Sequence, residues 1–139
     1  MRLWHKDLIP VLPRQQLLSQ WRECCCIARS IALEGTPNHI LVNKIMDYPI
    51  GHFIGYTFLV ITEMKNRGYR CDSDRFMKWF SDCDGEEIAL CRLFDGWHND
   101  RYFTQCFYNL QEKYDCGGIS REEWERMKDA SREPGCDGL

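Results

Sequence analysis

Residues 14–33 read Arg14-Gln-Gln-Leu-Leu-Ser-Gln-Trp-Arg-Glu-Cys-Cys-Cys-Ile-Ala-Arg-Ser-Ile-Ala-Leu33, and their spacing decides the fold. Leu17, Leu18, Trp21, Cys24, Cys25, Ala28, Ile31 and Ala32 recur every three to four residues, the stripe of a helix with one buried side. Pro13 suits the first turn of such a helix, and Gly35 with Pro37 stops it. The other side is polar. Gln15, Ser19, Arg22, Cys26 and Arg29 share one stripe, with Gln16, Gln20 and Glu23 beside it. Amides and guanidiniums are long donors suited to phosphate oxygens and base edges. A lone carboxylate among them opposes a polyanion, so Glu23 needs a chemical reason to be there. The plain alternative is a solvated face with a local Arg22–Glu23 charge pair.

The helical period returns further along the chain. Gly51–Arg67 reads as a second long helix with Phe53, Ile54, Phe58, Ile61 and Met64 inward. It ends in Lys65-Asn-Arg-Gly68, cations in the last turn followed by a capping glycine. Residues 1–13, punctuated by Pro10 and Pro13, are expected to be extended or irregular, and residues 38–49 to form a linker or short helix broken by Pro49. Ser73 or Asp74 would cap a short helix through Phe80, and Gly85–Phe94 would form another. A helix over Asn99–Lys113 carries Tyr102, Phe103, Cys106, Phe107 and Leu110. The last begins at Ser120, where Glu123 completes a capping box, and runs to about Ser131 with Trp124 and Met127 inward. Residues 132–139 read as a frayed polar tail. No β-alternation or repeat interrupts the pattern. The expectation is an all-α fold: a compact single-domain bundle of roughly four to six helices over residues 1–139, with the long N-terminal helix in the core.

Composition narrows the function classes. Of 139 residues, 44% are hydrophobic, enough to fill a core, and 28% are charged, which argues against bulk disorder. Net charge is −3 and the pI about 5.8, which weighs against a nucleic-acid binder. The distribution matters more: residues 1–70 hold five Asp and Glu, residues 71–139 hold sixteen. The first half is therefore net basic and able to face phosphates, while the second is net acidic. Nine cysteines, three of them adjacent, read as reduced thiols of a cytoplasmic protein rather than a disulfide framework. No signal peptide is expected, because Arg2, His5, Lys6 and Asp7 interrupt the start. The longest apolar run, Ile50–Met64, contains His52 and falls short of the ~20 residues of a membrane helix. No membrane partner is expected.

Other constellations are weaker. Cys71, Cys83, Cys91, His98, Cys106 and Cys116 lack the paired spacing of a zinc site, and the cysteines read as core thiols. No metal and no cofactor is expected. Residues 82–86 superficially match a calcium loop without its ligand register. Cys26 is the one thiol on the polar stripe of the first helix, but no general base stands near it in sequence. His5, near the N-terminus, and His52, at the start of the second helix, read as surface or capping histidines. Trp79, Phe80, Phe94, Trp97, Tyr102 and Phe103 read as core rather than as a base-stacking platform.

Residues 12–24, Leu12-Pro-Arg-Gln-Gln-Leu-Leu-Ser-Gln-Trp-Arg-Glu-Cys24, resemble the N-terminal helix of the pyrimidine-dimer DNA glycosylases. Phage-type members carry Leu-x-x-Gln-His-Leu-Met-x-x-aromatic-Arg-Glu-Leu there, and Leu12, Gln15, Leu17, Trp21, Arg22 and Glu23 match in type and spacing. Met1-Arg-Leu-Trp-His5 together with residues 12–18 is closer still to a bacterial branch of that family. Glu63-Met-Lys-Asn-Arg-Gly-Tyr69 resembles the end of the family's second helix. The family histidine falls on Gln16 and its second helix arginine on Cys26, with Arg29 one turn later.

The resemblance implies a chemistry. The family uses its N-terminal α-amine to attack C1′ of a damaged nucleotide, forming an imine, releasing the base and cutting the strand by β-elimination. As a class, α-amines keep a useful neutral fraction near pH 7. The implied catalytic residues are Glu23, which would stabilise the cationic sugar and shuttle protons, and Met1 or Arg2, whichever carries the amine. Since residue 2 is not small, Met1 is expected to be retained. Arg22, Gln15, Gln16, Arg29, Cys26 and His5 are the candidate substrate-binding residues. The expected function is a DNA-repair glycosylase with abasic-site lyase activity on damaged duplex DNA. The alternatives are a non-catalytic nucleic-acid or nucleotide binder on the same scaffold, or a protein-interaction module using the acidic C-terminal half.

Overall fold

A computed structural model describes residues 1–83 and 87–131, with Ser131 as backbone only. Among them every regular element is helical: α1 (Arg14–Glu34), α2 (Ile50–Asn66), α3 (Asp74–Met77), α4 (Asp100–Asp115) and α5 (Arg121–Ser131), with short 3-10 turns between. The fold is all-α, as the periodicity predicts. The expected tail, residues 132–139, and residues 84–86, which fall in the discounted calcium-like stretch and at the start of the expected helix over Gly85–Phe94, lie outside the described residues.

α1 begins after Pro13 and ends at Gly35, which takes φ 80° and donates its N–H to the Ile31 carbonyl. That left-handed turn costs a glycine little. Leu17, Trp21, Cys24, Cys25, Ile27 and Ala28 are buried, and Leu18 and Ile31 are half-buried. Ala32 belongs to the predicted stripe but is exposed, because the helix outruns the neighbours that would cover its last turn. α2 packs on α1 and buries Phe53, Tyr56, Thr57, Val60, Ile61 and Met64, a regular three-and-four spacing. Phe58, predicted inward, lies off that line and is exposed. Gly68, at φ 81°, closes the α2 terminus as expected. Arg67 does more than meet the helix dipole. Its guanidinium pairs with Glu63 at 2.7 Å and donates to the carbonyls of Leu12 (2.8 Å) and Pro10 (3.2 Å), tying the N-terminal segment to α2.

The predicted capping box is formed. The Ser120 hydroxyl accepts from Glu123 N–H at 3.1 Å, and the Glu123 carboxylate lies 3.4 Å from Ser120 N–H. Its other oxygen accepts from Arg14 N–H at 2.7 Å, so one glutamate satisfies orphan donors on α5 and at the start of α1. This hydrogen bonding holds the Glu123 carboxyl below its ordinary range, against the opposing effect of burial.

Two expectations fail. Residues 1–13 are not simply irregular: residues 6–11 form a 3-10 helix opened by His5, whose Nδ1 accepts from Asp7 N–H. Leu3, Leu8, Ile9 and Leu12 are fully buried. The segment is an integral core layer. Gly85–Phe94 does not form the predicted helix among its described residues; only Leu90–Arg92 makes a 3-10 turn. The reason is Lys6, which is buried and donates to the carbonyls of Leu90 (3.0 Å), Cys91 (3.3 Å) and Leu93 (2.8 Å). These carbonyls face an ammonium group instead of a helical ladder. The cysteines are free among the described residues, but only Cys24, Cys25 and Cys106 are buried. Cys83, Cys91 and Cys116, predicted as core thiols, are exposed because they fall in connections or at a helix end. No helix among the described residues is long and apolar enough to cross a membrane.

Candidate active site

One flank of α1 holds the chain's first residues against the core. Gln20 is fully buried there. Its Oε1 accepts from Trp4 N–H at 2.8 Å, and its Nε2 donates to the Arg2 carbonyl at 3.1 Å. The side-chain amide thus takes the carbonyl of one residue and the N–H two residues on, as a neighbouring strand would. The Tyr102 hydroxyl donates to the Leu3 carbonyl at 2.5 Å and the Tyr56 hydroxyl to the Trp4 carbonyl at 2.5 Å. Burial pushes both phenols up, so both remain donors. His98 Nδ1 accepts from Lys6 N–H at 3.0 Å. A buried backbone outside a helix requires partners for its polar groups, and here distant side chains supply them.

The consequence is a placed N-terminus. The Met1 amine, the Arg2 backbone N–H and the His39 ring all act on the Glu23 carboxyl. Glu23 is half-buried and its Oε2 lies 3.4 Å from Gln20 Nε2. Burial raises its pKa; the amine first, then the Arg2 N–H and His39, pull it part of the way back. A carboxyl with a raised pKa can hold a proton nearer to neutral pH and release it to a partner. Met1 is exposed. The Arg2 guanidinium lies 5.4 Å from the Trp4 ring and lines a cleft with Leu41, Tyr102, Gln105, Tyr108 and Asn109.

The predicted residues separate into two groups. Met1, Arg2 and Glu23 come together. Gln15, Arg22, Cys26 and Arg29 are exposed along the outer stripe of α1, beside that site rather than in it. Arg22 and Glu23 form no ion pair, which disposes of the local charge-pair reading; neighbours on a helix diverge by about 100°. Gln16 is half-buried, its Oε1 without a hydrogen-bond partner. His5 caps a turn but is not on the surface: it is buried, 5.1 Å from the His98 ring and edge-on to Phe103 at 5.2 Å. Burial lowers its pKa against the pull of Asp7. It supports the segment and is not placed to touch a substrate. His52 accepts from Phe94 N–H at 3.0 Å, so its ring braces Phe94 instead of meeting an anion.

Tyr56 and His39 had no assigned role in the sequence, Tyr102 was read only as core and His98 only within a weak zinc constellation; Gln20, read beside the polar stripe, is instead fully buried. Gln20 carried a signal: on the helical wheel it falls between Ile27 and Ile31, on the apolar side. A glutamine there must find backbone partners.

The pyrimidine dimer DNA glycosylase family model matches residues 1–77. The chain belongs to this family. Membership places it among DNA-repair glycosylases, with DNA as the substrate. The matched region contains Met1, Arg2, Gln20, Glu23 and Tyr56, while His98 and Tyr102 lie beyond it. No curated protein and no solved structure matches the chain. The chain therefore combines a family half with a C-terminal half that supplies two of the side chains holding its N-terminal segment.

Proposed function

We propose that the protein removes damaged bases from duplex DNA and cuts the resulting abasic strand, using its N-terminal amine as nucleophile and Glu23 as the acid–base and electrostatic group. The observation that carries this reading is the Gln20 amide, whose Nε2 donates to the Arg2 carbonyl at 3.1 Å and lies 3.4 Å from Glu23 Oε2, so the first residues are held beside a half-buried carboxyl. The neutral amine attacks C1′; the glycosidic bond breaks, and the base leaves with the bond electrons and takes up a proton. Opening of the sugar ring gives an imine between C1′ and the amine. Removal of a C2′ proton then expels the 3′ phosphate by β-elimination, and water releases the enzyme. Glu23 as carboxylate stabilises the cationic sugar, and as acid it supplies protons. Arg2 orients the site from the cleft. The exposed Arg22 and Arg29, with Gln15, Gln16 and Cys26, face the duplex. Damaged DNA carrying a pyrimidine dimer is the substrate on this reading.

Borohydride trapping tests it. On a duplex with one abasic site, reduction should leave a stable secondary amine on the first residue, located by peptide mass. Glu23→Gln should keep the fold and duplex binding while lowering strand cleavage by about 10²–10⁴-fold, the usual range for a general acid–base group. Absence of an adduct on a confirmed intact N-terminus would overturn the mechanism.

A further inference from the structure

The connection between α1 and α2 sets two aliphatic side chains in water beside the site. Ile40 is 85% exposed, the highest value among the large hydrophobic residues described, and Leu41 is 48% exposed. Solitary exposed aliphatics are ordinary, but this pair is held out by a built loop. Asn38 N–H donates to Thr36 Oγ1 (3.2 Å), His39 N–H to Asn43 Oδ1 (2.9 Å) and Leu41 N–H to His39 Nδ1 (3.2 Å). The His39 carbonyl accepts from both Val42 and Asn43 N–H. Asn38 adopts φ 56°, the left-handed region that non-glycine residues seldom use. Fully buried Val42 anchors the far side. Leu41 lines the same cleft as Arg2 and Tyr102, and Arg2 is bonded through Gln20 to Glu23. Residues 35–46 contain no acidic side chain, only Lys44 and His39 as ionisable groups, so nothing on the loop repels a polyanion.

We propose that Ile40 and Leu41 form an apolar wedge that enters the base stack of duplex DNA at the damaged step. This rests on the glycosylase reading. To reach C1′, an amine fixed to the protein needs the duplex opened beside it. Taking a nucleotide out of the stack exposes its neighbours' faces, and an aliphatic side chain inserted there offsets the unstacking.

The test uses the full chain carrying Glu23→Gln, and a duplex with a non-cleavable tetrahydrofuran abasic analogue next to 2-aminopurine. Binding should raise 2-aminopurine fluorescence. Adding Ile40→Ser and Leu41→Ser should abolish the rise and weaken binding to this duplex about tenfold, while affinity for undamaged duplex stays within about twofold. Ile40→Ser alone, at a side chain with almost nothing to pack against, should lose most of the rise, and Ile40→Met should restore it. An unchanged rise in the serine variants would overturn the wedge and leave the glycosylase reading standing. Failure of the Glu23→Gln protein to bind any duplex would remove both. A dimer by light scattering that Ile40→Ser dissociates would assign the patch to a second copy of the chain and overturn the proposal.

Discussion

Two stretches outside the α-helices flank Glu23, and they are built in opposite ways. Residues 1–6 have their backbone groups held by side chains from elsewhere: Gln20, Tyr56, Tyr102 and His98. Residues 36–42 close their hydrogen bonds among themselves and with Asn43, and leave Ile40 and Leu41 in water. The first stretch is as fixed as the core that holds it, which is what a nucleophilic amine requires. The second contributes little to the core and is free to be chosen for what it meets outside. Stability and function should therefore separate between them.

The comparison breaks most readily at Gln20. Gln20→Leu keeps the volume but leaves Arg2 O and Trp4 N–H without partners, at about 1–3 kcal/mol for each buried group; urea denaturation should show a loss of about 3 kcal/mol. A midpoint unchanged from the parent would mean the segment is not held as described. Lys6→Met should cost about 2 kcal/mol in the same measurement, because the carbonyls of Leu90, Cys91 and Leu93 lose their shared donor.

Acid gives the next effect. Burial pushes the His98 imidazole down to about 2, so the folded ring stays neutral while the unfolded ring charges near 6.5. The folded-state pKa is the depressed one. Its contribution is therefore present above pH 6.5 and is lost as pH falls below it, by about 1.4 kcal/mol per pH unit at the limiting slope. His5 is shifted in the same direction and adds to it. His98→Asn, which keeps an acceptor for Lys6 N–H and removes the titration, should flatten thermal stability between pH 6.5 and 5; a slope equal to the parent's would exonerate His98. At the other stretch, Ile40→Ser should change stability by less than about 0.5 kcal/mol, and a loss comparable to that of Gln20→Leu would erase the distinction.

What was legible in the sequence was local. The limits of α1 follow from Pro13 and Gly35, the end of α2 from Gly68, and the start of α5 from Ser120 and Glu123, because caps act across three or four residues. Glu23 stood out as an acid on a face of amides and arginines. The burial of residues 1–12 was not legible. Leu3, Lys6 and Trp4 acquire their meaning from Tyr102, His98, Tyr56 and Gln20, whose separations along the chain reach 99 residues. No periodicity spans that distance. His5 was misplaced on the surface for the same reason: a polar ring in a segment read as irregular is assigned to water until its covering residues are known. The cysteines at 83, 91 and 116 erred the other way, since hydrophobic character alone does not say whether a connection reaches the core.

The fastening of Leu3 by Tyr102 also sets an order of events during synthesis. The partners at 98 and 102 are made nearly a hundred residues after the segment they hold, about 5–20 s later at ordinary elongation rates. Throughout that interval residues 1–6 have only Gln20 and Tyr56 of the side chains that hold them, and the Leu3 carbonyl and Lys6 N–H lack their partners. A chain arrested before residue 98 would carry every residue of the proposed catalytic group with its N-terminal segment only partly fastened.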